Sequence, residues 1–170
     1  MKKNLKITGL LLLIVGLFTL SATAQKKKAA KDMAQWRYEI EAAGVGIQGT
    51  YQIKVWNFSK KANIAIEQAK KNAVHGVIFR GFIANDKVRT GQKPLAASPS
   101  LEAEHADFFK DFFADGGKYL KFVTNSANGA TELIKIGKEY KVGVIVNVNV
   151  NELRKDLEAA GIIRGLSNGF

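Results

Sequence analysis

Glu102 and His105 are the first side chains whose types and spacing could support chemistry. On a helix, a three-residue spacing places this carboxylate and imidazole on one face, as in the metal sites of di-iron bundles. Those sites use two such pairs and further glutamates, whereas this chain has one pair and a single additional histidine, His75. We therefore predict no metal site. We expect His75 to lie at a helix C terminus, where the helix dipole favours its charged form.

Gly44, Gly46 and Gly49 have the spacing of the glycine-rich fingerprint that binds dinucleotides. The fingerprint needs a helix directly after it, because amide groups at the helix N terminus bind the pyrophosphate. Residues 50–57 instead alternate apolar and polar side chains, which is the period of a strand. We therefore predict a hairpin between strands at 36–42 and 50–57, and no nucleotide or other cofactor.

Catalytic nucleophiles are equally sparse in this chain. It has no cysteine, and Ser59, Ser98 and Ser100 all stand where helices are expected to begin, which favours a capping role. The acidic residues between 102 and 111 look like the solvated face of a helix. We predict no catalytic residue and no enzymatic activity. The alternative that stays open is an enzyme with an unrecognised carboxylate site.

Four phenylalanines form the first candidate interaction surface: Phe108, Phe109, Phe112 and Phe113. On a helix, Phe108 shares a face with Phe112, and Phe109 shares a face with Phe113. Such a stripe is typical of a hydrophobic core, but an exposed part of it would be a partner surface. We expect the face that runs from Leu101 through His105 and Phe108 to Phe112 to lie in the core.

Three asparagines form the second candidate surface: Asn147, Asn149 and Asn151. They alternate with valines, so on a strand all three project from one side. Such a side is typically exposed to solvent, and a row of amides could also bind the hydroxyl groups of a glycan. We further expect Asn151 to cap the last helix.

The N-terminal residues carry the pattern of a secretory signal peptide. Three lysines precede the apolar run Ile7–Leu20, which is shorter than the roughly 20 residues of a membrane-spanning helix. Small residues follow at Ala22 and Ala24. We therefore predict a signal peptide over residues 1–24 that is cleaved after Ala24, and a protein that is exported to the periplasm or the outer envelope.

The formal net charge is +11, and part of it is concentrated at Lys26, Lys27, Lys28 and Lys31. We predict that residues 25–34 form a basic flexible tail that could make peripheral contact with a membrane surface. The rest of the chain is only mildly basic and has no basic stripe with interleaved aromatics, so we expect no nucleic-acid partner. Residues 35–170 have the usual size of one domain. The absence of cysteine excludes disulfides and a lipid-modified N-terminal cysteine.

Periodicity along the chain predicts the element order β-β-α-β-α-β-β-β-α. The helices are expected at 59–76, 98–114 and 151–161, and the later strands at 77–83, 119–123, 133–136 and 140–150. Neighbouring strands with short connections pair antiparallel. The expected fold class is therefore α+β, a mostly antiparallel sheet with about three helices packed on it.

Three segments carry a resemblance to other proteins: residues 22–25, 108–113 and 140–146. In these the chain resembles small exported α+β proteins of unknown function from Gram-negative bacteria. Residues 50–83 and 140–161 show a fainter similarity to periplasmic domains of outer-membrane and flagellar-accessory lipoproteins, from which this chain departs because it lacks their lipid-bearing cysteine. The resemblance implies an envelope location and transfers no site residue.

The function that these observations favour is that of a non-catalytic binding or assembly module of the bacterial cell envelope. Its partner is expected to be an envelope protein or a glycan, and no oligomeric state is predicted. The alternative is a periplasmic protein that binds a small ligand or a glycan through the loop at 84–97 and the asparagines.

Overall fold

The structure is a computed structural model that describes residues 36–44, 46–84, 86, 88, 91–127 and 129–165. The predicted signal peptide, its cleavage point and the lysine-rich tail lie outside the described residues. Among those that are described, no helix combines the length and the apolar character needed to cross a bilayer.

The described residues form five strands, four α-helices and one 3-10 helix. The strands are β1 (Tyr38–Gly44), β2 (Thr50–Ser59), β3 (Val123–Asn125), β4 (Glu132–Ile136) and β5 (Glu139–Asn149). The helices are α1 (Ala62–Phe79), α2 (Leu101–Glu104), α3 (Ala106–Phe112) and α4 (Val150–Ala159), and the 3-10 helix is Lys118–Phe122.

Strand β5 is the centre of one antiparallel sheet. One of its edges pairs with β2, which in turn pairs with β1, and its other edge is shared by β4 and β3. This arrangement confirms the α+β class and the antiparallel sheet. It also confirms the hairpin, since Tyr38 pairs with Asn57 and Ala42 pairs with Ile53.

Helix α1 covers the inward face of the sheet. Ala65, Ala69 and Ala73 are fully buried at a four-residue spacing, and these small side chains let the helix axis approach the strands closely. The residues beneath them are inward-facing aliphatic side chains of β2 and β5 with no exposed surface: Ile53, Val55, Val142, Val146 and Val148. Each such side chain contributes about 1.5–3 kcal/mol through burial, so this layer is the core of the fold.

The prediction of a third strand at 77–83 is wrong, because α1 continues through Phe79. Val77 and Ile78 follow the helical spacing of Ala73 and Val74, and all four are fully buried. The apolar run therefore extends the buried face of the helix, although its β-branched residues suit a strand. The chain leaves the helix through Gly81, whose φ of 65° lets its amide donate back to the Gly76 carbonyl oxygen at 2.8 Å.

Two further expectations are corrected between residues 98 and 125. The single helix expected at 98–114 is broken at His105, which leaves the helical region at φ −114°, ψ 38°. The strand expected at 119–123 is a 3-10 helix, and only Val123–Asn125 is a strand. In a 3-10 helix, residues three apart lie on one side, which lets Tyr119 and Phe122 both be buried.

The phenylalanine cluster is mostly core. Phe109, Phe112 and Phe113 are buried and Phe108 is half-buried. The ring centroid of Phe109 lies 5.0 Å from that of Phe79. The ring centroid of Phe112 lies 6.0 Å from that of Phe122, and the ring centroid of Phe113 lies 5.9 Å from that of Tyr119. The break at His105 interrupts the expected face from Leu101 to Phe112, so Phe108 is less buried than Phe109.

We expect Phe112→Ala to lower the free energy of unfolding by about 3–5 kcal/mol, because it removes a buried ring and leaves a cavity. Phe108→Ala is the matched control on the same helix and should cost clearly less, since its ring is half-exposed. Urea denaturation of both variants measures the difference. Equal losses in the two variants would contradict this assignment of the core.

Candidate functional site

The outward face of the sheet differs from the inward face in exposure and in chemistry. The outward side chains of β2 and β5 are half-exposed. They include Gln52, Lys54, Trp56, Phe58, Lys141, Ile145, Asn147 and Asn149. The alternating inward residues of the same strands are almost all buried. This contrast arises because α1 packs on one side of the sheet and, in the described part of the chain, no helix covers the other side.

The larger depression on the outward face has a volume of about 470 Å³, and we call it the amide groove. Its polar lining is a set of uncharged amides and hydroxyls with one ammonium group: Thr50, Gln52, Thr124, Ser126, Asn147, Asn149 and Lys121. Strand pairing assembles it, because Gln52 lies opposite Asn147, which lies opposite Thr124. Gly46 and Ile47 of the β1–β2 loop form its rim.

Gln52 organises the centre of the amide groove. Its Nε2 donates to Ser126 Oγ at 3.1 Å and to Asn147 Oδ1 at 3.3 Å. Asn147 accepts through its oxygen, so its Nδ2 group is left as a donor that makes no hydrogen bond within the described residues. The hydroxyl groups of Thr50 and Thr124 likewise make no hydrogen bond within the described residues. The groove therefore presents fixed, unused hydrogen-bonding groups.

The three predicted asparagines have separate roles. Asn147 and Asn149 line the amide groove, whereas Asn151 lies in the first turn of α4 and is exposed. The expectation that Asn151 caps the last helix is wrong: Asn149 is the cap, and its Oδ1 accepts from the Glu152 amide at 3.1 Å. The strand passes directly into the helix at Val150, which shifts the cap two residues towards the N terminus.

We expect Asn149→Ala to lower the free energy of unfolding by about 1 kcal/mol through loss of the cap. Asn149→Asp keeps an acceptor oxygen and should retain most of that stability. Asn151→Ala is the control from the same turn. Thermal melting of the three variants tests the assignment, which fails if Asn151→Ala is the more destabilising of the two alanine changes.

A second, acidic groove of about 290 Å³ continues the outward face along the strands. Its charged lining is Glu41, Asp86, Glu132 and Lys54, and Ile145 is its apolar floor. Lys54 and Ile145 are the next outward positions after Gln52 and Asn147, so the two grooves are adjacent. Asp86 is the contribution of the loop at 84–97. Glu132 forms an ion pair with Lys54, and no three acidic or histidine side chains of the described residues are placed so that they could hold a metal ion together.

Trp56 is the next outward residue of β2 after Lys54, which lines the acidic groove. Its indole lies across Gly143, where a Cβ atom would come within 2.7 Å of the ring, so a larger residue at this position would force the ring to move. The indole Nε1 donates to Glu41 at 2.9 Å, and the Lys54 and Lys141 ammonium groups lie 4.2 and 5.0 Å from the ring centroid. Lys141 also pairs with Glu39 at 2.7 Å. These contacts connect β1, β2 and β5 across the open face.

A third polar cluster lies inside the protein, around His75. The Tyr38 hydroxyl is 2.7 Å from His75 Nδ1, and Glu102 Oε2 is 3.2 Å from His75 Nε2. A neutral imidazole satisfies both contacts if Nδ1 accepts from Tyr38 and Nε2 donates to Glu102. Glu102 therefore pairs with His75 rather than with His105. The cluster joins β1, α1 and α2.

The expectation that His75 lies at a helix C terminus in its charged form is wrong. His75 lies inside α1 and is buried, and this burial lowers its pKa, although the hydrogen bond that its ring donates to Glu102 opposes the shift. Burial also raises the pKa of Tyr38 far above its ordinary value. Neither side chain lines a groove, so this cluster is a structural link.

The lowered pKa of His75 predicts a pH-dependent stability. Near pH 6.5 the unfolded chain binds a proton at this histidine, whereas the folded chain does so only at lower pH. The free energy of unfolding should therefore fall between pH 7.5 and 5.5, with a slope approaching at most about 1.4 kcal/mol per pH unit. Most carboxylates titrate below this window.

Denaturation midpoints at pH 7.5 and 5.5 measure this effect. His75→Gln should flatten the dependence, and His105→Gln is the control that should preserve it. A wild-type protein that is equally stable at both pH values would contradict the role of His75.

Strand pairing brings together groove residues that the sequence pattern did not single out, namely Gln52, Thr124 and Ser126. Gln52 had one signal in the sequence, since it is a polar residue of a predicted alternating strand. Thr124 and Ser126 follow the strand predicted at 119–123 and had none. The glycine-rich segment forms the predicted hairpin loop, and β2 rather than a helix begins at Thr50. The absence of a nucleotide site stays a prediction.

Comparisons with protein-family models, curated proteins and solved structures find no match for this chain. The resemblance to exported proteins of Gram-negative bacteria therefore stays a hypothesis.

Proposed function

We propose that this protein is a non-catalytic binding module of the bacterial cell envelope that holds its partner on the outward face of its sheet. The observation that carries the proposal is the contrast between the two faces. Inward side chains of β2 and β5 are buried under α1, whereas the outward side chains form two adjacent grooves with polar linings.

The outward face also changes in chemistry from one end to the other, which favours a macromolecular partner. Amides and hydroxyls line one end, and charged side chains line the middle. Ile134 and Ile136 of β4 share the outward side through their pairing with Lys141 and Glu139, and both are about half-exposed. A partner that covers this length would use polar and apolar contacts together.

The state of the carboxylates supports binding rather than catalysis. Glu132 is paired with Lys54, and Glu41 accepts from Trp56. His75, whose pKa is lowered, is buried away from both grooves.

The envelope location in this proposal is supported by the N-terminal pattern of lysines, an apolar run and Ala22-Thr23-Ala24. The four lysines that follow would add electrostatic attraction to an anionic membrane surface.

Site-specific photocrosslinking in the producing cell tests the proposal. A photoreactive amino acid at Thr124, which is exposed beside the amide groove, should give a covalent adduct with an envelope component. The same amino acid at Gln68, which is exposed on α1, is the matched control and should give none. Adducts from position 68 alone, or none from position 124, would contradict the proposal.

A further inference from the structure

We infer that the amide groove binds a neutral sugar unit and that a glycan chain of such units runs from it along β2 and β5. This inference rests on the proposed function and specifies its ligand class. It starts from the hydrogen-bonding groups that the groove leaves unused.

The unused groups of the amide groove complement a polyol. Asn147 Nδ2 is a donor with no partner in the described residues, and the hydroxyls of Thr50 and Thr124 can each donate and accept. A sugar hydroxyl likewise donates and accepts, so adjacent hydroxyls on one ring can engage several of these groups at once. An apolar ligand would leave them without partners, which costs free energy.

The charges around the groove argue against an anionic ligand. Lys121 is the only ammonium group in the lining of the amide groove, whereas sites for phosphate and carboxylate groups usually use several cationic side chains or backbone N–H groups. The lining of the neighbouring acidic groove has three carboxylates, Glu41, Asp86 and Glu132, and one ammonium group, Lys54. The two groove linings together hold three carboxylates and two ammonium groups, so they offer a phosphate-rich or sulfated polymer no net attraction, although the whole chain carries a net charge of +11.

The size and the rim of the groove suit one or two sugar rings. Its volume of about 470 Å³ lies within the range of small-molecule sites, about 300–1,000 Å³. Ile47 at the rim is 85% exposed, and its side chain offers an apolar surface for the C–H face of a ring. The acidic groove is adjacent along β2 and β5, so a chain bound in the amide groove can continue past Ile145.

The groove is held in place before any ligand binds, which limits the entropy lost on binding. The Gln52 carboxamide connects Asn147 to Ser126, and the Ser126 amide donates to the Ile145 carbonyl oxygen at 3.1 Å. The β1–β2 loop is anchored as well, because the Gly49 carbonyl oxygen accepts from the Val150 amide at 2.9 Å.

Titration of the full chain with neutral and charged oligosaccharides tests this inference. The neutral probes are the N-acetylglucosamine tetramer and maltotetraose, and the charged probe is a sulfated dextran fragment of similar length. We expect at least one neutral probe to bind, with NMR shifts at the side-chain amides of Gln52 and Asn147, and we expect the sulfated probe to bind more weakly.

Variants then locate the site. Asn147→Ala and the nearly isosteric Thr124→Val should each weaken the binding of the neutral probe, Asn147→Ala by about tenfold or more, which corresponds to the loss of about 1.4 kcal/mol. Asn125→Ala, on the same short strand but outside the groove, should leave affinity unchanged. Melting midpoints close to wild type for Thr124→Val show that its effect is not due to unfolding.

The inference is overturned if neither neutral probe shifts the groove amides, if the sulfated probe binds more tightly, or if Thr124→Val and Asn147→Ala bind as wild type does. These outcomes are distinct from failure of the proposed function. If the protein forms adducts through position 124 in cells but binds no neutral sugar, the outward face is still supported as the binding surface and the neutral glycan is rejected as its ligand.

Discussion

The packing of α1 against β2 and β5 is the constraint on which the rest of the structure depends. The alanines at positions 65, 69 and 73 bring the helix close to the strands, and the valines and isoleucine beneath have no exposed surface. This single contact defines an inward and an outward side for every residue of the sheet, because side chains alternate along strands. The described helices supply no second layer across the sheet, so the outward side chains stay accessible.

An uncovered sheet face must be stabilised without a core of its own. On this face, Trp56 spans from Glu41 on β1 to Gly143 on β5, and the Lys141–Glu39 pair crosses the same three strands. Ion pairs at exposed positions contribute little each, so the aromatic contact is the main stabilising element there. The amide groove lies beyond this network, where Gln52 supplies the connecting hydrogen bonds. The stabilised end and the binding end of the face are thus different regions.

The accuracy of sequence-based prediction varied with the physical origin of each feature. Strict alternation predicted the β1–β2 hairpin, since one buried and one open face leave a clear period of two. The predicted strand at 77–83 failed because Val77 and Ile78 are β-branched residues on the fully buried end of a helix, where tertiary packing outweighs local propensity. His75 was placed incorrectly for the same reason, since the helix continues past it. Of the amide groove, the sequence pattern singled out Asn147 and Asn149 and placed Gln52 on a strand, whereas Thr124 and Ser126 come close only through the pairing of β3 with β5.

Lysine footprinting of the unmodified protein is the most direct measurement of the central claim, that the outward face is the functional surface. Acetylation rates are compared for the free protein and for the protein mixed with isolated cell envelopes. The account predicts that Lys121, in the amide groove, becomes protected, whereas the exposed Lys60 and Lys61 beside the start of α1 react at unchanged rates. Protection of Lys60 and Lys61 with an unchanged rate at Lys121 would contradict it.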